Sequence, residues 1–175
     1  MRYGFIKTAA GTPQVRVADT AYNRDSILKL IEEAEGEGVE LQVLPELCLT
    51  GCTCGDLFLQ RVLTDGAEKA LEAILEATAE KDMLIALGLP VMYGGKLYSC
   101  SAVCSRGRLL GLVPKGQLPG CESRWFASGT NVDGMLCFAG QETCICPDMI
   151  FRCDAVEGLR VGVELCIDLC SVYRV

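Results

Sequence analysis

Three side chains in this sequence stand where chemistry is commonly carried. Glu46 follows the apolar run VELQVLP, Lys115 follows LLGLVP, and Cys166 follows LRVGVEL. Each is a charged or reactive group placed directly after a strand-like segment, and a proline immediately precedes Glu46 and Lys115. In an open α/β sheet such strand ends gather functional residues, because the strand fixes the geometry while the following loop faces solvent. Taken singly, each has an ordinary explanation: Glu46 as a helix cap, Lys115 as a solvated loop charge, Cys166 as a core sulfur. Taken together they form a chemically complete set. A thiol nucleophile needs a base, and in a chain without histidine that base is a carboxylate. A tetrahedral intermediate needs positive charge or N–H donors at its oxyanion, which a lysine and the backbone N–H of Ile167 would supply.

The elements that position these residues alternate between strand and helix. RYGFIKTAA reads as a first strand. YNRDSILKLIEEAEGEG carries Ile27, Leu28, Leu30 and Ile31 on one stripe, with Asn23 or Asp25 as candidate caps and glycines at its end. VELQVLPEL reads as a short buried strand ending at Pro45. A second helix is predicted over TDGAEKALEAILEATAEK, where Ala67, Ala70, Leu71, Ile74 and Leu75 repeat at helical spacing. DMLIALGLPVMY and LYSCSAVCSRGRLLGLVPK read as strands, with Gly94-Gly95 and Arg106-Gly107 at hairpin turns. Residues 117–131 are irregular, and MLCF, TCIC, MIFRC and LRVGVELC are short strand candidates.

Composition narrows the function. The 175 residues suit one domain or a piece of a larger one, and half of them are apolar, enough for a core. The net charge of −7 and the scattered Lys and Arg lack the clustered basic footprint that nucleic acid requires. No apolar run approaches the roughly 18 residues of a membrane span. Arg2 and Lys7 interrupt what a signal peptide would need, so a cytoplasmic location is expected. Twelve cysteines without a single CxxC or histidine give no zinc-type spacing. Cys48-x3-Cys52-x-Cys54 comes nearest to a cluster loop but has no recognised ligand spacing, so no metal is expected. Disulfides are rare in the cytosol, and cysteines within apolar runs, such as Cys100 and Cys104, are expected to behave as small buried hydrophobes.

The segments LPELCLTGCTCGDLF, GKLYSCSAVCSRGRLLGLVPK and EGLRVGVELCIDL resemble the nitrilase, or carbon–nitrogen hydrolase, superfamily. More narrowly, the opening MRYGFIKTAAGTPQVRVADTAYN, the phrase PELCLTGCTCGDLF and the loop end SRWFASG are similar to the N-terminal glutaminase domains of glutamine-dependent NAD synthetases. The resemblance implies an α/β fold, a four-layer αββα sandwich of which residues 1–175 would form the N-terminal part, incomplete at its C-terminus. It implies a Glu46–Lys115–Cys166 triad in which Cys166 attacks the amide of glutamine and forms a glutamyl thioester. Glu46 would be the general base, and Lys115 with the Ile167 N–H would hold the oxyanion. Glu122 would support Lys115. No cofactor is implied for this chain. ATP and Mg would belong to a ligase domain, absent here, that uses the released ammonia to amidate nicotinic acid adenine dinucleotide. The expected partners are glutamine, that ligase domain or downstream polypeptide, and further copies of the chain.

The sequence departs from the family pattern in places. Where the family reads in the style CEDLW, this chain reads Cys166-Ile167-Asp168-Leu169-Cys170, without the first carboxylate or the aromatic. The loop KGQLPGCESRWF is shorter than usual, and Cys52 stands where an aromatic is customary. Two alternatives therefore accompany the glutaminase reading: a free-standing nitrilase-type amidase of unknown substrate, and a catalytically inactive nitrilase-like fragment or assembly module.

Overall fold

The computed structural model describes residues 5–154 and 156–170. Residues 2–4 of the first predicted strand lie outside the described residues. The elements run β1 (Thr8–Ala10), α1 (Thr20–Gly36), β2 (Leu41–Val43), α2 (Arg61–Ala77), β3 (Leu84–Tyr93), β4 (Lys96–Ser105), β5 (Arg108–Pro114), β6 (Gly134–Phe138), β7 (Gln141–Ile145), β8 (Ile150–Arg152) and β9 (Arg160–Gly162). The first seven strands in space form one mixed sheet in the order β1-β2-β3-β4-β5-β7-β6, and β8 and β9 pair as a separate antiparallel hairpin. β1, β2 and β3 run parallel, joined through helices, whereas β3-β4-β5 is an antiparallel meander. Its two tight turns place Gly94, Gly95, Arg106 and Gly107 at positive φ, the backbone that right-twisted hairpins demand.

Alternation along the central strands distributes side chains to two faces. Ile85, Leu87, Leu89 and Val91 of β3 join Cys100, Ala102 and Cys104 of β4 against Ile27 and Ile31 of α1 and Leu71, Ile74 and Leu75 of α2. This is the main core, and both helices lie on it through the stripes that their 3.6-residue spacing creates. The opposite face presents Ala86, Val103 and Val113, which pack under Leu165 with Met149, Phe151 and Val163. Helices, sheet and hairpin are therefore three successive layers. Gly111 makes room for the third: a Cβ there would lie 2.5 Å from the Met149 sulfur.

Local capping differs from expectation at α1. The helix begins at Thr20, and Asp19 is its cap, its carboxylate accepting from the N–H of Tyr22. Asn23 instead sits fully buried in the first turn. Its side chain accepts from Arg16 N–H and donates to the carbonyls of Arg16 and Leu49, tying the helix start to the segment that leaves β2. Asp25 is exposed. α2 likewise starts earlier than predicted, at Arg61, because Gln60 in extended backbone ends the short 3₁₀ turn Gly55–Leu59 ahead of it. Among the described residues, no helix is long and apolar enough to cross a membrane.

A close backbone approach lies beside Glu46. A Cβ on Gly88 of β3 would fall 2.3 Å from the Leu47 nitrogen and 2.6 Å from the Glu46 Cα. Only glycine lets the central strand touch the turn that follows β2. Gly88→Ala is therefore expected to destabilise the fold by about 1–3 kcal/mol, measured by urea denaturation. It is also expected to shift the Glu46 turn.

Candidate active site

Glu46 rides on a tight turn two residues beyond Leu44. The Cys48 N–H donates to the Pro45 carbonyl at 3.3 Å, and the Gly51 N–H donates to the Leu47 carbonyl at 2.7 Å. Leu47 adopts φ +52°, an uncommon conformation for a branched residue, and is buried. The turn thus points the Glu46 carboxylate back across the sheet toward β4 and β5.

Lys115 is the first residue after β5 and its side chain is fully buried. Its backbone extends the ladder: its N–H donates to the Ser99 carbonyl of β4, and its carbonyl accepts from Gly129, both at 2.8 Å. The ammonium lies 2.9 and 3.1 Å from the two Glu46 oxygens and 2.8 Å from Glu122 Oε2. Ser99 completes the cluster, its hydroxyl donating to Glu46 Oε1 at 2.7 Å. Burial pulls the Lys115 ammonium toward deprotonation, but its hydrogen bonds to Glu122 and Glu46 and their negative charge outweigh this. The net effect holds its pKa above the usual 10.5.

Glu122 reaches Lys115 because its loop is pinned at both ends. Ser128 and Thr130 donate their hydroxyls to the Gly116 carbonyl at 2.6 and 3.2 Å. Beyond the 3₁₀ turn Glu122–Arg124, Arg124 holds Asp56 with paired bonds of 3.0 Å and the Trp125 indole donates to the same carboxylate at 2.9 Å. Phe126 packs edge-on against Phe58 with ring centroids 4.8 Å apart. The Trp125 and Arg124 donors hold the Asp56 carboxyl below its ordinary value.

Cys166 is placed differently from the expectation. LRVGVEL does not form a strand of the main sheet. Only Arg160–Gly162 pairs, with β8 in the separate hairpin, and residues 163–165 carry the chain over the sheet by packing Val163 and Leu165 on it. Cys166 adopts φ +49° and opens the 3₁₀ turn Cys166–Cys170, so the nucleophile candidate sits on a sharp bend rather than a strand end. It is exposed, as is Ile167. Among the described residues its thiol makes no hydrogen bond to Glu46 or Lys115. The link between the bend and the lysine runs instead through Asp168, whose carboxylate accepts from the N–H groups of Gly116 at 2.9 Å and Gln117 at 2.6 Å. Of the residues named from the sequence, the structure brings Glu46, Lys115 and Glu122 into one cluster and does not bond the Cys166 thiol to it, and sequence reasoning assigned nothing to Ser99, Asp56 or Asp168. A small hydroxyl within the apolar strand LYSCSAV, and an acid retained two positions after Cys166, were the available signals.

The thiols of the CLTGCTC segment are used as local donors. Cys48 donates to the Gly88 carbonyl at 3.6 Å, Cys54 to those of Thr50 and Gly51 at 3.1 and 3.3 Å, and Cys52 to that of Glu46 at 3.3 Å. Cys52 therefore borders the charged cluster. Burial first, and then the Glu46 and Glu122 charges, push its thiol up. Burial pushes the Cys48 and Cys104 thiols to about 12 and that of Cys100 well above its ordinary value. No group of three or more His, Cys, Asp or Glu among the described residues is arranged to hold a metal.

The sequence profile of the carbon–nitrogen hydrolases matches residues 7–170. A glutamine-dependent NAD(+) synthetase of Mycobacterium tuberculosis is 31% identical over 172 residues, 96% of this chain and 25% of that protein. The one from Aquifex aeolicus is 34% identical over 159 residues, 85% of this chain and 28% of that protein. The chain thus spans about a quarter of the length of the curated relatives it matches. The crystal structure of a glutamine-dependent NAD(+) synthetase from Cytophaga hutchinsonii superposes with a TM-score of 0.77 at 29% identity, covering 90% of this chain and 27% of that one. An amidase from Nesterenkonia sp. shares the fold, with a TM-score of 0.65 at 20% identity over 83% of this chain and 56% of that one.

Two outcomes follow from the buried lysine and the buried thiols. Lys115→Met leaves two carboxylates facing each other without their cation and should cost about 3–5 kcal/mol, with Lys115→Met/Glu122→Gln recovering part of it. The ammonium's contribution is complete below its ordinary value of 10.5. It is lost as pH rises through the raised folded value, so the stability gap between the unaltered chain and Lys115→Met should narrow above pH 10.5. Thermal melts across alkaline pH read this directly. Separately, alkylation of the folded chain at pH 8, mapped by peptide mass, should spare Cys48, Cys100 and Cys104 while they react fully in urea.

Proposed function

Because this chain belongs to the carbon–nitrogen hydrolase family, we propose that it cleaves the side-chain amide of glutamine, with Cys166 as nucleophile, Glu46 as base and Lys115 as the cation at the oxyanion. The observation that carries this reading is the fully buried Lys115 ammonium held between Glu46 and Glu122. A charge taken out of water at that cost of several kcal/mol marks a site built for electrostatics rather than for packing. Relatives named glutamine-dependent NAD(+) synthetases, 31% identical along nearly all of this chain, support glutamine as the substrate.

The Cys166 thiol transfers its proton to Glu46 as the sulfur attacks the amide carbon. The resulting oxyanion is met by Lys115 Nζ and the Ile167 N–H. Collapse breaks the C–N bond, Glu46 returns the proton to the nitrogen, and ammonia leaves a glutamyl thioester on Cys166. Water then attacks the thioester, giving a proton to Glu46 that goes back to the sulfur as glutamate departs. Ser99 and Lys115 hold the Glu46 carboxylate through these transfers, and Glu122 keeps the Lys115 ammonium charged. The ammonia serves a ligase that amidates nicotinic acid adenine dinucleotide, supplied by further polypeptide.

One observation favours a second reading, an inactive module that retains the fold. The Cys166 thiol has no hydrogen bond to Glu46 or Lys115 among the described residues. Catalytic bonds commonly tighten only when substrate is bound, so the two readings are separated by reactivity rather than by geometry. A limiting amount of a glutamine-like chloroketone should label Cys166 ahead of the other thiols. Glu46→Gln and Lys115→Arg, which preserve size or charge, should each slow this capture about 100-fold or more. Label spread over several exposed cysteines, or a rate unchanged in both variants, overturns the glutaminase reading in favour of the module. Selective capture by an acrylamide-type or aliphatic amide reagent in preference to the glutamine analogue points to a free-standing amidase.

A further inference from the structure

We propose that Asp168 is the positioning residue of this site, its carboxylate bolting the strained Cys166 bend to the loop that leaves Lys115. The proposal rests on the glutaminase reading for the use of Cys166, and on geometry alone for the bolt. Cys166 adopts φ +49°. That left-handed conformation is unfavourable for any residue with a Cβ and persists only where the surroundings over-determine it. The preceding chain supplies one restraint, Leu165, which is buried under the sheet with Val113 and Val103. The residue before the bend is thus fixed on the sheet.

The other restraint lies two residues after the bend. The Asp168 N–H closes back on the Leu165 carbonyl at 3.0 Å, while its carboxylate spans two successive backbone donors, Gly116 at 2.9 Å and Gln117 at 2.6 Å. These are the first two residues after Lys115. Charge-assisted bonds of this length are about twice as strong as neutral ones, and a paired acceptor fixes orientation as well as distance. The same loop start is held on its other side, where the Gly116 carbonyl accepts from Ser128 and Thr130. Gly116 is therefore gripped at both of its polar atoms, and only one of those grips reaches the Cys166 segment.

Among the described residues, this carboxylate is a direct polar link between the Cys166–Cys170 turn and the loop that leaves Lys115. Asp168 thereby sets the register between thiol and ammonium through the first two backbone N–H groups after Lys115. The acid does not touch the reacting atoms. It acts by holding the backbone on which Cys166 and Ile167 sit at a set height above Lys115. Displacement of about 1 Å at a reacting centre is enough to cost about 100-fold in rate.

Asp168→Ala and Asp168→Asn in the full chain test this, each first checked for a cooperative thermal melt. Asp168→Asn retains one acceptor oxygen and guards against a variant that fails to fold. Amide exchange of Gly116 and Gln117 is followed by NMR. The rate at which Cys166 is captured by the glutamine-like chloroketone is compared with its rate with iodoacetamide. The expected result has three parts. Both amides exchange at least about tenfold faster in Asp168→Ala. Chloroketone capture falls about tenfold to 100-fold while the iodoacetamide rate holds. Asp168→Asn lies between the two. Unchanged exchange overturns the bolt itself. Faster exchange with an unchanged ratio of the two capture rates overturns the positioning role and leaves a structural contact. Failure of the unaltered chain to take up the chloroketone at Cys166 overturns the glutaminase reading, and the positioning role with it. The exchange rates still decide the bolt on their own.

Discussion

A single ammonium group organises this protein. Lys115 is fully buried, and a lysine without water is tolerable only where carboxylates surround it and remain hydrogen-bonded themselves. Glu46 and Glu122 supply the charge, and Ser99 satisfies the Glu46 oxygen that also faces the lysine. These four residues come from the turn after β2, from β4, from the end of β5 and from the long loop beyond it. Each of those segments must be in place before the charge is compensated. The sheet order β2-β3-β4-β5 brings them side by side, and Gly88 of β3 lets the Glu46 turn lie close enough to reach across.

The loop that follows Lys115 has little regular structure, yet it is closely determined. Its start is fixed by Gly129, Ser128 and Thr130 closing back on Lys115 and Gly116. Its far end is fixed by Arg124, Trp125 and Phe126 gripping Asp56 and Phe58. The phrases CGDLF and SRWF, nearly seventy positions apart, are thus two halves of one contact, with Arg124 bonded to Asp56 across a separation of 68 residues. Glu122 sits between the two anchors and is delivered to Lys115 by them. A shortened loop can serve here because its ends, rather than its length, set the position of the acid.

The third layer has a different logic. The hairpin β8-β9 and the segment after it cover the sheet face opposite the helices through Met149, Phe151, Val163 and Leu165. This packing is apolar and non-directional, so it places the Cys166 bend over the sheet without fixing its angle. Orientation comes from the Asp168 carboxylate, a directional contact laid on top of a non-directional one. Strain at Cys166 is compatible with a stable fold because both kinds of restraint flank it.

Much of the architecture was legible from periodicity. The stripes Ile27, Ile31 and Ala67, Ala70, Leu71, Ile74, Leu75, the paired turn residues Gly94-Gly95 and Arg106-Gly107, and the alternation of β3 and β4 are local signals, and the structure uses them as written. Glu46, Lys115 and Cys166 were also legible as reactive groups after apolar runs. Local pattern failed where a residue's partner is distant. Asp19 rather than Asn23 caps α1, because Asn23 is claimed by the Leu49 carbonyl 26 residues away. The run before Cys166 alternates like a strand, but its valine and leucine face the sheet as a covering layer, so the alternation reports burial rather than membership of the main sheet. The sequence by itself determined which residues are buried on which element and which groups have the chemistry to react. Tertiary structure alone decided that Lys115 loses its water, that Ser99 and Asp168 hold its neighbours, and that the Cys166 bend is left-handed. Those are properties of contacts between segments far apart in the chain, and no local period encodes them.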